Sequence, residues 1–360
     1  MHKKQALKFS PEIKTAFYPE LRQKVYSYFR ENNISINANW HMIAKTMFFL
    51  ALLYFSYHII LFTNISAYLK IIACILHGLA IAGIGFNIAH DAGHGAYSKS
   101  KITNRLLFYT MDLVGSNSYM WDIKHNKAHH IYTNIDSFDE DIRGSKLLRL
   151  SPHAPLYSIN RHQHIYAWFL YCFLYFFIVW FYNFQQFKAA AFGPFRNLQH
   201  SSKEWVQLVT WKLFYLFYAI IAPLVFLKIS FTQFFIGYMV VCATTGFMLG
   251  LIFYLAHCVE KAASFPLPEQ DEIKIDWALH QMNTTCNFGT ANKLLTWFCG
   301  GLNFQIEHHL FPEICSIHYK NISRIVSKTA EEYNTPYLQY ISFSEAVISH
   351  YKMLKQLGKC

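Results

Sequence analysis

The chain has 360 residues, of which 53% are hydrophobic, 18% aromatic and only 15% charged, with a formal net charge of +11. Because a soluble domain carries about 25% charged residues, this composition excludes a soluble globular protein, and the high apolar content excludes a disordered chain. The basic residues form no dense block of the kind that binds nucleic acid, so no nucleic-acid partner is expected. The composition predicts an integral membrane protein.

The first polar segment, residues 1–41, is predicted to contain an amphipathic helix. Large apolar side chains recur there at every fourth position, which places them on one face of a helix. These side chains are Phe17, Leu21, Val25 and Phe29. Pro11 is predicted to lie near the start of the helix, where a missing backbone N–H is tolerated.

Two pairs of apolar stretches follow, and each stretch is near the roughly 20 residues that cross the hydrocarbon core of a bilayer. The stretches are residues 42–62 and 71–89 in the first pair and 207–227 and 234–256 in the second. Lys212 and Pro223 are unfavourable inside the third stretch, but a lysine near a helix end can extend its ammonium group to the interface. The pairs predict transmembrane hairpins at residues 42–89 and 207–256.

Between the hairpins, residues 165–184 form a fifth uncharged stretch, in which twelve of 20 side chains are Tyr, Trp or Phe. Aromatic enrichment is typical of the headgroup zone, so this stretch predicts a helix that lies in the membrane plane. The alternative is a fifth span, which would place the histidines before it and those after it on opposite faces of the membrane. Since the metal site described below needs them on one face, four spans are predicted.

The remaining polar regions are residues 90–206 and 257–360, which this topology places on the same side as residues 1–41. Lys and Arg gather in the polar regions, as expected for cytoplasmic loops. The eight cysteines show no Cys-x-x-Cys spacing, so no disulfide framework is predicted. The predicted fold is an all-α integral membrane protein, with four transmembrane helices in two hairpins and a cytoplasmic helical cap.

Nineteen residues are histidine, and three clusters of them lie just outside the predicted spans. The clustered residues are His90, His94, His125, His129, His130, His308 and His309. On a helix, residues four apart project from one face, so both imidazoles of such a pair can bind one metal ion. Seven histidines exceed the needs of one ion, and a site for two metal ions is predicted. Imidazole suits iron, copper, zinc and nickel, so the ligand type alone does not identify the metal.

His257 is an eighth candidate, because it follows the fourth predicted span at the level of the three clusters. From its position alone, it is either a metal ligand or a histidine that interacts with the last carbonyl groups of the helix. The acidic run Asp139, Glu140 and Asp141 offers oxygen ligands as well, but it is predicted to be a solvated loop.

The three clusters resemble the histidine boxes of the membrane-bound fatty acid desaturases, in an arrangement that covers residues 40–325. The matching motifs are His90-Asp-Ala-Gly-His94, His125-Asn-Lys-Ala-His129-His130 and Gln305-Ile-Glu-His308-His309. Gln305 at the start of the third box is similar to the front-end subgroup, which is delta-5 or delta-6 in type. Members of that subgroup insert a cis double bond between an existing double bond and the carboxyl end.

This resemblance implies a di-iron centre that uses O2 and two electrons to desaturate a fatty acyl chain, which a phospholipid or CoA carries. It implies that His257 is a further iron ligand and that Gln305 lies beside the irons without binding them. The segment Gln281-Met-Asn-Thr284-Thr285 is similar to another motif of the subgroup, to which no role is assigned.

Many front-end desaturases carry a cytochrome b5 domain with a His-Pro-Gly-Gly motif, which this sequence lacks. Electrons are therefore expected from a separate protein, such as a ferredoxin or cytochrome b5. The expected location is the plasma membrane of a bacterium or the endoplasmic reticulum of a eukaryote, with the histidine boxes on the cytoplasmic side.

Two other functions are compatible with the same residues. A membrane di-iron hydroxylase would use the same metals to form an alcohol on an acyl or alkyl chain. A metal transporter would need polar residues at mid-bilayer depth in several spans, whereas the clusters lie outside the hydrocarbon. The position of the clusters therefore disfavours the transporter.

Overall fold

The structure is a computed structural model that describes residues 3–4, 7–10, 12–268 and 272–359. Most of these residues are helical. In chain order the helices are Phe17–Glu31 (α1), Trp40–Phe62 (α2), Ala67–Gly93 (α3), Lys101–Phe108 (α4), Thr110–Leu113 (α5), 118–132 (α6), Ser158–Lys188 (α7), Ser202–Phe226 (α8), Phe231–His257 (α9), Trp277–Thr284 (α10), Lys293–Phe298 (α11), Gln305–Leu310 (α12), Tyr319–Glu332 (α13) and Phe343–Leu357 (α14). A 3₁₀ turn at Ser316–His318 precedes α13.

Short strands connect segments outside the long helices. They are Lys3–Lys4 (β1), Lys8–Phe9 (β2), Ala191–Phe192 (β3), Phe195–Arg196 (β4), Glu272–Ile273 (β5), Asn287–Phe288 (β6) and Gln339–Tyr340 (β7). β4 lies between β1 and β3 and is antiparallel to both, while β2 pairs with β5 and β6 with β7 in parallel. Asn287 lies opposite Gln339, so β6 and β7 join the segments that precede α12 and α14.

Five helices, α2, α3, α7, α8 and α9, are long and apolar enough to cross a membrane. Every stretch predicted as a span lies in one of them, except that Leu227 falls one residue beyond α8. Such segments form helices because a helix satisfies its own backbone hydrogen bonds within hydrocarbon. The predicted membrane protein of mainly helical structure is confirmed.

Helix α9 packs against both α3 and α7. A Cβ added to Gly78 of α3 would lie only 2.8 Å from Thr244 Cβ, so glycine is what allows the two backbones to approach closely. The hydroxyl of Thr245 donates a hydrogen bond to the Gly78 carbonyl at 3.0 Å. Because α3 and α9 are held side by side, the helix ends that carry His90 and His257 lie on the same side of the bundle.

Helices α1, α4–α6 and α10–α14 and their loops form what we call the cap. Both ends of α7 contact the cap. At its start, Gln163 Nε2 donates to the carbonyl groups of Arg149 at 3.0 Å and Leu354 at 2.9 Å. Shortly after its end, the N–H of Gly193 donates to Glu140 Oε1 at 2.9 Å. Residues near both ends of α7 therefore contact the cap.

Helix α1 confirms the amphipathic helix predicted for the N-terminal segment. The apolar face is fully buried and consists of Phe17, Leu21, Val25 and Phe29. It packs in one core with Ile322 and Val326 of α13, so this face is buried inside the cap and does not face lipid. Pro11 lies outside the described residues.

Lys212 of α8 is buried within the helical bundle and does not extend to the interface as expected. Its ammonium group donates to the carbonyl groups of Gly115 at 2.6 Å and Val179 at 2.5 Å, and to Asn183 Oδ1 at 2.8 Å. The expectation was wrong because three acceptors from α7 and the loop after α5 lie within reach and replace water.

Asp112 of α5 is fully buried and within electrostatic range of Lys212. Its Oδ1 accepts long hydrogen bonds of 3.3 Å from Asn117 Nδ2 and from the N–H of Ser118, while Oδ2 has no partner among the described residues. Burial raises the pKa of this carboxyl from 3.8 to about 6, although Ser118 and Lys212 oppose the rise.

Asp112→Asn is therefore expected to stabilise the protein at neutral pH. Because the folded-state pKa lies above the unfolded value, ionisation of Asp112 costs stability, and this cost grows from about pH 4 to about pH 6 and persists above it. The variant should gain up to about 3 kcal/mol at neutral pH and little near pH 4, which melting curves across this pH range would measure. Glu331→Gln, at an exposed position on α13, is the control. A variant that is less stable than the parent at neutral pH would contradict the argument.

Candidate metal centre

Segments far apart in the sequence bring the predicted histidines together. His90 lies in the last turn of α3 and is followed by His94, α6 carries His125, His129 and His130, α9 ends at His257, and α12 carries His308 and His309. Two π-helical runs, Gly85–Ala89 and Asp122–His129, shape the histidine-bearing ends of α3 and α6. Such wider turns are frequent at functional sites. Seven of the eight side chains are buried, and His94 is half-buried.

The imidazoles form two neighbouring groups, each about the size of one metal's ligand set. The first group, in which ring nitrogens lie within 4.8 Å of one another, consists of His90, His94, His125 and His308. The second group, by the same measure, consists of His129, His257 and His309. His130 lies between the groups, because its ring centroid is 4.7 Å from that of His94 and 4.4 Å from that of His309.

Ring nitrogens in both groups are buried without a described hydrogen-bond partner. They include Nε2 of His94, His129 and His309 and both nitrogens of His90. His130 Nε2 lies 3.2 Å from His125 Nε2 and 3.0 Å from His308 Nε2. A neutral imidazole carries only one N–H, so these nitrogens cannot all be satisfied by one another, whereas a cation between them would interact with each. The residues therefore fit bound metal ions.

The protonation state of four of the rings also suits metal binding. Burial holds the pKa of His125 and His308 well below the usual range, and neighbouring imidazoles lower it further. The same causes act on the pKa of His130 and His309. These rings are neutral at physiological pH, and the neutral ring is the form that binds a metal.

Asp139 orients His129. Its Oδ2 lies 2.9 Å from His129 Nδ1 and accepts from the N–H of Asn134 at 2.9 Å, while its Oδ1 accepts from the N–H of Asp141 at 2.9 Å. Burial alone would raise the pKa of the Asp139 carboxyl, but His129 and the two N–H donors hold it below its usual value. A carboxylate on Nδ1 leaves Nε2 of the same ring free to bind a metal.

The acidic run at 139–141 is not the solvated loop that the sequence predicts. Asp139 and Glu140 are buried, and Asp141 is half-buried. Glu140 accepts from Arg143 at 2.8 Å, and Asp141 forms an ion pair with Lys124. The prediction was wrong because α6, the residues after α7 and the loop itself supply a partner to each carboxylate.

The motif at 281–285, which had no assigned role, supports two of the histidines. Gln281 Oε1 lies 2.8 Å from His309 Nδ1, and His257 Nδ1 lies 3.2 Å from the carbonyl oxygen of Thr284. Each contact occupies the ring nitrogen that faces away from the other imidazoles. Helix α10 therefore sets the orientation of two rings in the second group.

Gln305 and Tyr319 both lie near the third histidine box, and Tyr319 contacts a histidine directly. The Gln305 amide donates to the carbonyl of Leu302 at 2.7 Å, so its hydrogen bond supports the start of α12. The hydroxyl of Tyr319 lies 3.1 Å from His308 Nδ1 and orients that ring. No sequence pattern singles out Tyr319, which follows the third box by ten residues.

The acidic residues inside the boxes attach the boxes to the cap. Asp91 Oδ2 accepts from the N–H of Ser316 at 3.0 Å and from its hydroxyl at 2.8 Å. Glu307 accepts from Asn287 Nδ2 and from the Tyr337 hydroxyl, both at 2.8 Å. The first box is thereby fixed to Ser316, which follows α12. The third box is fixed to Asn287, which precedes α12, and to Tyr337, which follows α13.

A cavity of about 570 Å³ leads to the histidines. His90 and His257 form part of its wall, and its deep end is lined by Ile81, Tyr175 and Thr245 of the long helices. The size is that of a small-molecule site, and the wall is mostly apolar. This arrangement suits a long apolar substrate that passes beside the histidines.

Comparison with known proteins gives a consistent picture. A family model for fatty acid desaturase matches residues 66–341. The chain is 36% identical to the sn-1 linoleoyl-lipid 6-desaturase of Synechocystis sp. over 355 residues, which cover 96% of both chains. It is 34% identical to the enzyme of the same name from Arthrospira platensis, over 95% of this chain and 92% of the relative. It is also 34% identical to the acyl-lipid (8-3)-desaturase of Physcomitrium patens, over 99% of this chain and 74% of the relative.

Proposed function

The chain belongs to the fatty acid desaturase family, and on this premise we propose that it is an acyl-lipid desaturase whose two histidine groups bind two iron ions. It is a membrane oxidoreductase that introduces a double bond into a fatty acyl chain, on the carboxyl side of an existing double bond. The observation that carries the metal proposal is the set of imidazole nitrogens without a described partner beside an apolar cavity.

One iron would be held by the first histidine group and the other by the second, with His130 beside both. When bound, iron would supply the O2-dependent oxidation that an unactivated methylene requires. Overall, two hydrogens leave adjacent methylenes, and O2 is reduced to water with two electrons and two protons from outside the chain. The protein supplies position: Asp139 and Gln281 hold rings of the second group, and the Trp121 ring stacks on His125 with centroids 4.4 Å apart.

The proposed topology has four spans, α2, α3, α8 and α9, with α7 embedded in the bundle without crossing. The hydrogen bonds that join both ends of α7 to the cap support this topology. The excess of Lys and Arg outside the apolar stretches favours a cytoplasmic cap. The electrons are proposed to come from a separate protein, such as a ferredoxin or cytochrome b5.

Mass spectrometry of lipids from an expression host would test the proposal. A new double bond on the carboxyl side of an existing one is expected, and it should disappear in the His125→Ala variant. The purified protein should contain two irons per chain. An alcohol in place of a double bond would indicate the hydroxylase, and an unchanged lipid profile with every acyl donor supplied would reject the proposed activity.

A second apolar cavity of about 310 Å³ lies behind the deep end of the first. Ile81 lines both cavities. Beside it, the hydroxyl of Tyr175, in the first cavity, lies 3.3 Å from that of Tyr215, in the second. The partition between the cavities is therefore one layer of side chains, and the methyl end of an acyl chain would stop there.

Ile81→Ala is expected to shift the chain-length preference toward longer acyl chains, because it joins the two cavities. The ratio of kcat/KM for a longer chain to that for a shorter one should rise about tenfold, which is the scale of discrimination by one methylene in an apolar pocket. Ile72→Ala, on the exposed side of the same helix, is the control. An unchanged ratio in Ile81→Ala would show that the acyl chain ends elsewhere.

A further inference from the structure

The first cavity reaches the molecular surface between the loop at 144–148 and helix α7. Leu147, Phe177 and Phe181 line the cavity and are nevertheless 47%, 52% and 47% exposed. Elsewhere in its wall, the cavity is lined by His90 and His257. A lipid in the membrane can therefore insert an acyl chain sideways through this opening.

Four exposed cations gather beside the opening, and we call them the cationic cluster. They are Lys146, Arg161, Lys355 and Lys359. Lys146 lies in the loop that borders the opening, between two residues that line the cavity. Arg161 belongs to the first turn of α7, and the two other lysines belong to the end of α14 and the residues after it.

Backbone contacts hold the three segments of the cluster together. Asn160 Nδ2 donates to the Lys146 carbonyl at 3.1 Å, which ties the loop to α7. A Cβ added to Gly358 would lie 2.2 Å from the Asn160 carbonyl oxygen and 3.2 Å from Arg161 Cα, so the end of α14 packs directly on the same turn. The positive charges are thus placed by a rigid junction.

The charge of the cluster is not neutralised within the described part of the chain. Residues 144–170 and 346–360 contain no Asp or Glu. The carboxylates of Glu140 and Asp141, which line the same cavity, already pair with Arg143 and Lys124. The cluster therefore presents a surface that attracts anions.

Exposed apolar side chains surround the cluster. They are Ile159, Ile165, Ile348 and Tyr351, with exposed fractions of 47%, 64%, 53% and 38%. Cations next to exposed apolar side chains are typical of a surface at the depth of lipid headgroups. An anion that meets the cluster at this depth is a lipid phosphate.

We propose that the cationic cluster binds the phosphate of an anionic phospholipid while one acyl chain of the same lipid occupies the cavity. This inference rests on the proposed function and names its substrate class: the acyl chain is carried by an anionic phospholipid. The carrier is neither CoA nor a lipid without net charge. The cluster then sets how far the carboxyl end of the chain stands from the histidines.

The test compares two triple variants of the purified full-length protein. Arg161→Gln/Lys355→Gln/Lys359→Gln removes most of the cluster. The matched control is Lys99→Gln/Lys101→Gln/Arg105→Gln, which removes three cations in and next to α4. Ile102 and Leu106 of α4 are also exposed, but no residue of α4 lines the cavity. Native mass spectrometry measures binding of phosphatidylglycerol and phosphatidylcholine, and kinetics use one acyl chain presented on each lipid and on CoA.

The parent protein should bind phosphatidylglycerol more tightly than phosphatidylcholine and should use it with the lowest KM. Loss of three cations near an anionic headgroup should weaken binding and raise this KM by roughly tenfold or more, with kcat little changed. The control should match the parent. Lys355→Gln alone, at an exposed position, should give a smaller change in the same direction if the triple variant folds poorly.

Equal KM values for the three carriers, or equal effects of the two triple variants, would overturn the inference. If no carrier yields a double bond with the parent protein, the proposed function fails. In that case the binding measurement still tests the cluster, because phosphatidylglycerol binding that depends on Arg161, Lys355 and Lys359 does not require turnover.

Discussion

His308→Ala is expected to abolish desaturation and to lower the iron content of the purified protein below two per chain. His308 belongs to the first group of imidazoles and also lies with His130 and His309 in a set whose nitrogens are within 4.8 Å of one another. Its loss removes a ligand next to both metal positions. The activity should fall by more than about 100-fold, since even residues that only support a ligand are worth 10- to 100-fold.

Iron analysis and product analysis on the same preparation measure this effect. His41→Ala is the control, because His41 is exposed and lies at the start of α2, outside the two groups. This control should keep both irons and full activity. Two irons per chain together with normal turnover in His308→Ala would show that the imidazoles converge for another reason.

Asp139→Asn is expected to weaken metal binding without unfolding the protein. The substitution preserves the size of the side chain but removes the charge that faces His129 Nδ1 at 2.9 Å. Metal affinity or activity should fall by about 10- to 100-fold, as for other carboxylates that orient a ligating histidine. The rate of iron loss to a chelator measures the effect without dependence on turnover.

Asp136→Asn is the matched control for that variant. Asp136 lies three residues earlier in the same loop, is only half-buried and accepts from the Ser137 hydroxyl at 3.0 Å. Its iron should leave at the rate of the parent protein. If both variants lose iron equally fast, the effect belongs to the loop as a whole and Asp139 has no special part in it.

The convergence of the histidines could be predicted because its signal is local. A spacing of four residues predicts that His90 and His94 share one group, whereas His125 and His129 fall in different groups. The clusters were also located by the long apolar stretches that precede them. The same kind of local period predicted the buried face of α1. These features depend on neighbours in the sequence, so the sequence alone was sufficient.

The residues that orient the rings could not be predicted in the same way. Gln281 meets His309 across 28 residues, and Tyr319 meets His308 only because the chain turns back after α12. Asp139 follows His129 by ten residues and sits in an acidic run that resembles a surface loop. The partners of these side chains depend on how the segments of the cap pack together. No local sequence pattern predicts that packing.

The position of α7, the long aromatic helix, also could not be predicted from local sequence alone. Composition indicated that residues 165–184 belong near the membrane surface, but α7 extends from Ser158 to Lys188 and is long enough to be counted among the apolar helices. The proposal that it does not cross the membrane depends on the contacts near its two ends, through Gln163 and Gly193. Both partners are distant in the sequence, so hydropathy cannot find them.

The origin of the imidazoles in four distant segments has a consequence for biosynthesis. The second group includes His309, and the first includes His308, so neither ligand set is complete until the ribosome has passed that point and the cap has closed on the bundle. Complete metal binding at either group is therefore expected only after α12 has been synthesised and folded. A nascent or truncated chain that stops before α12 would hold an incomplete set of ligands in both groups.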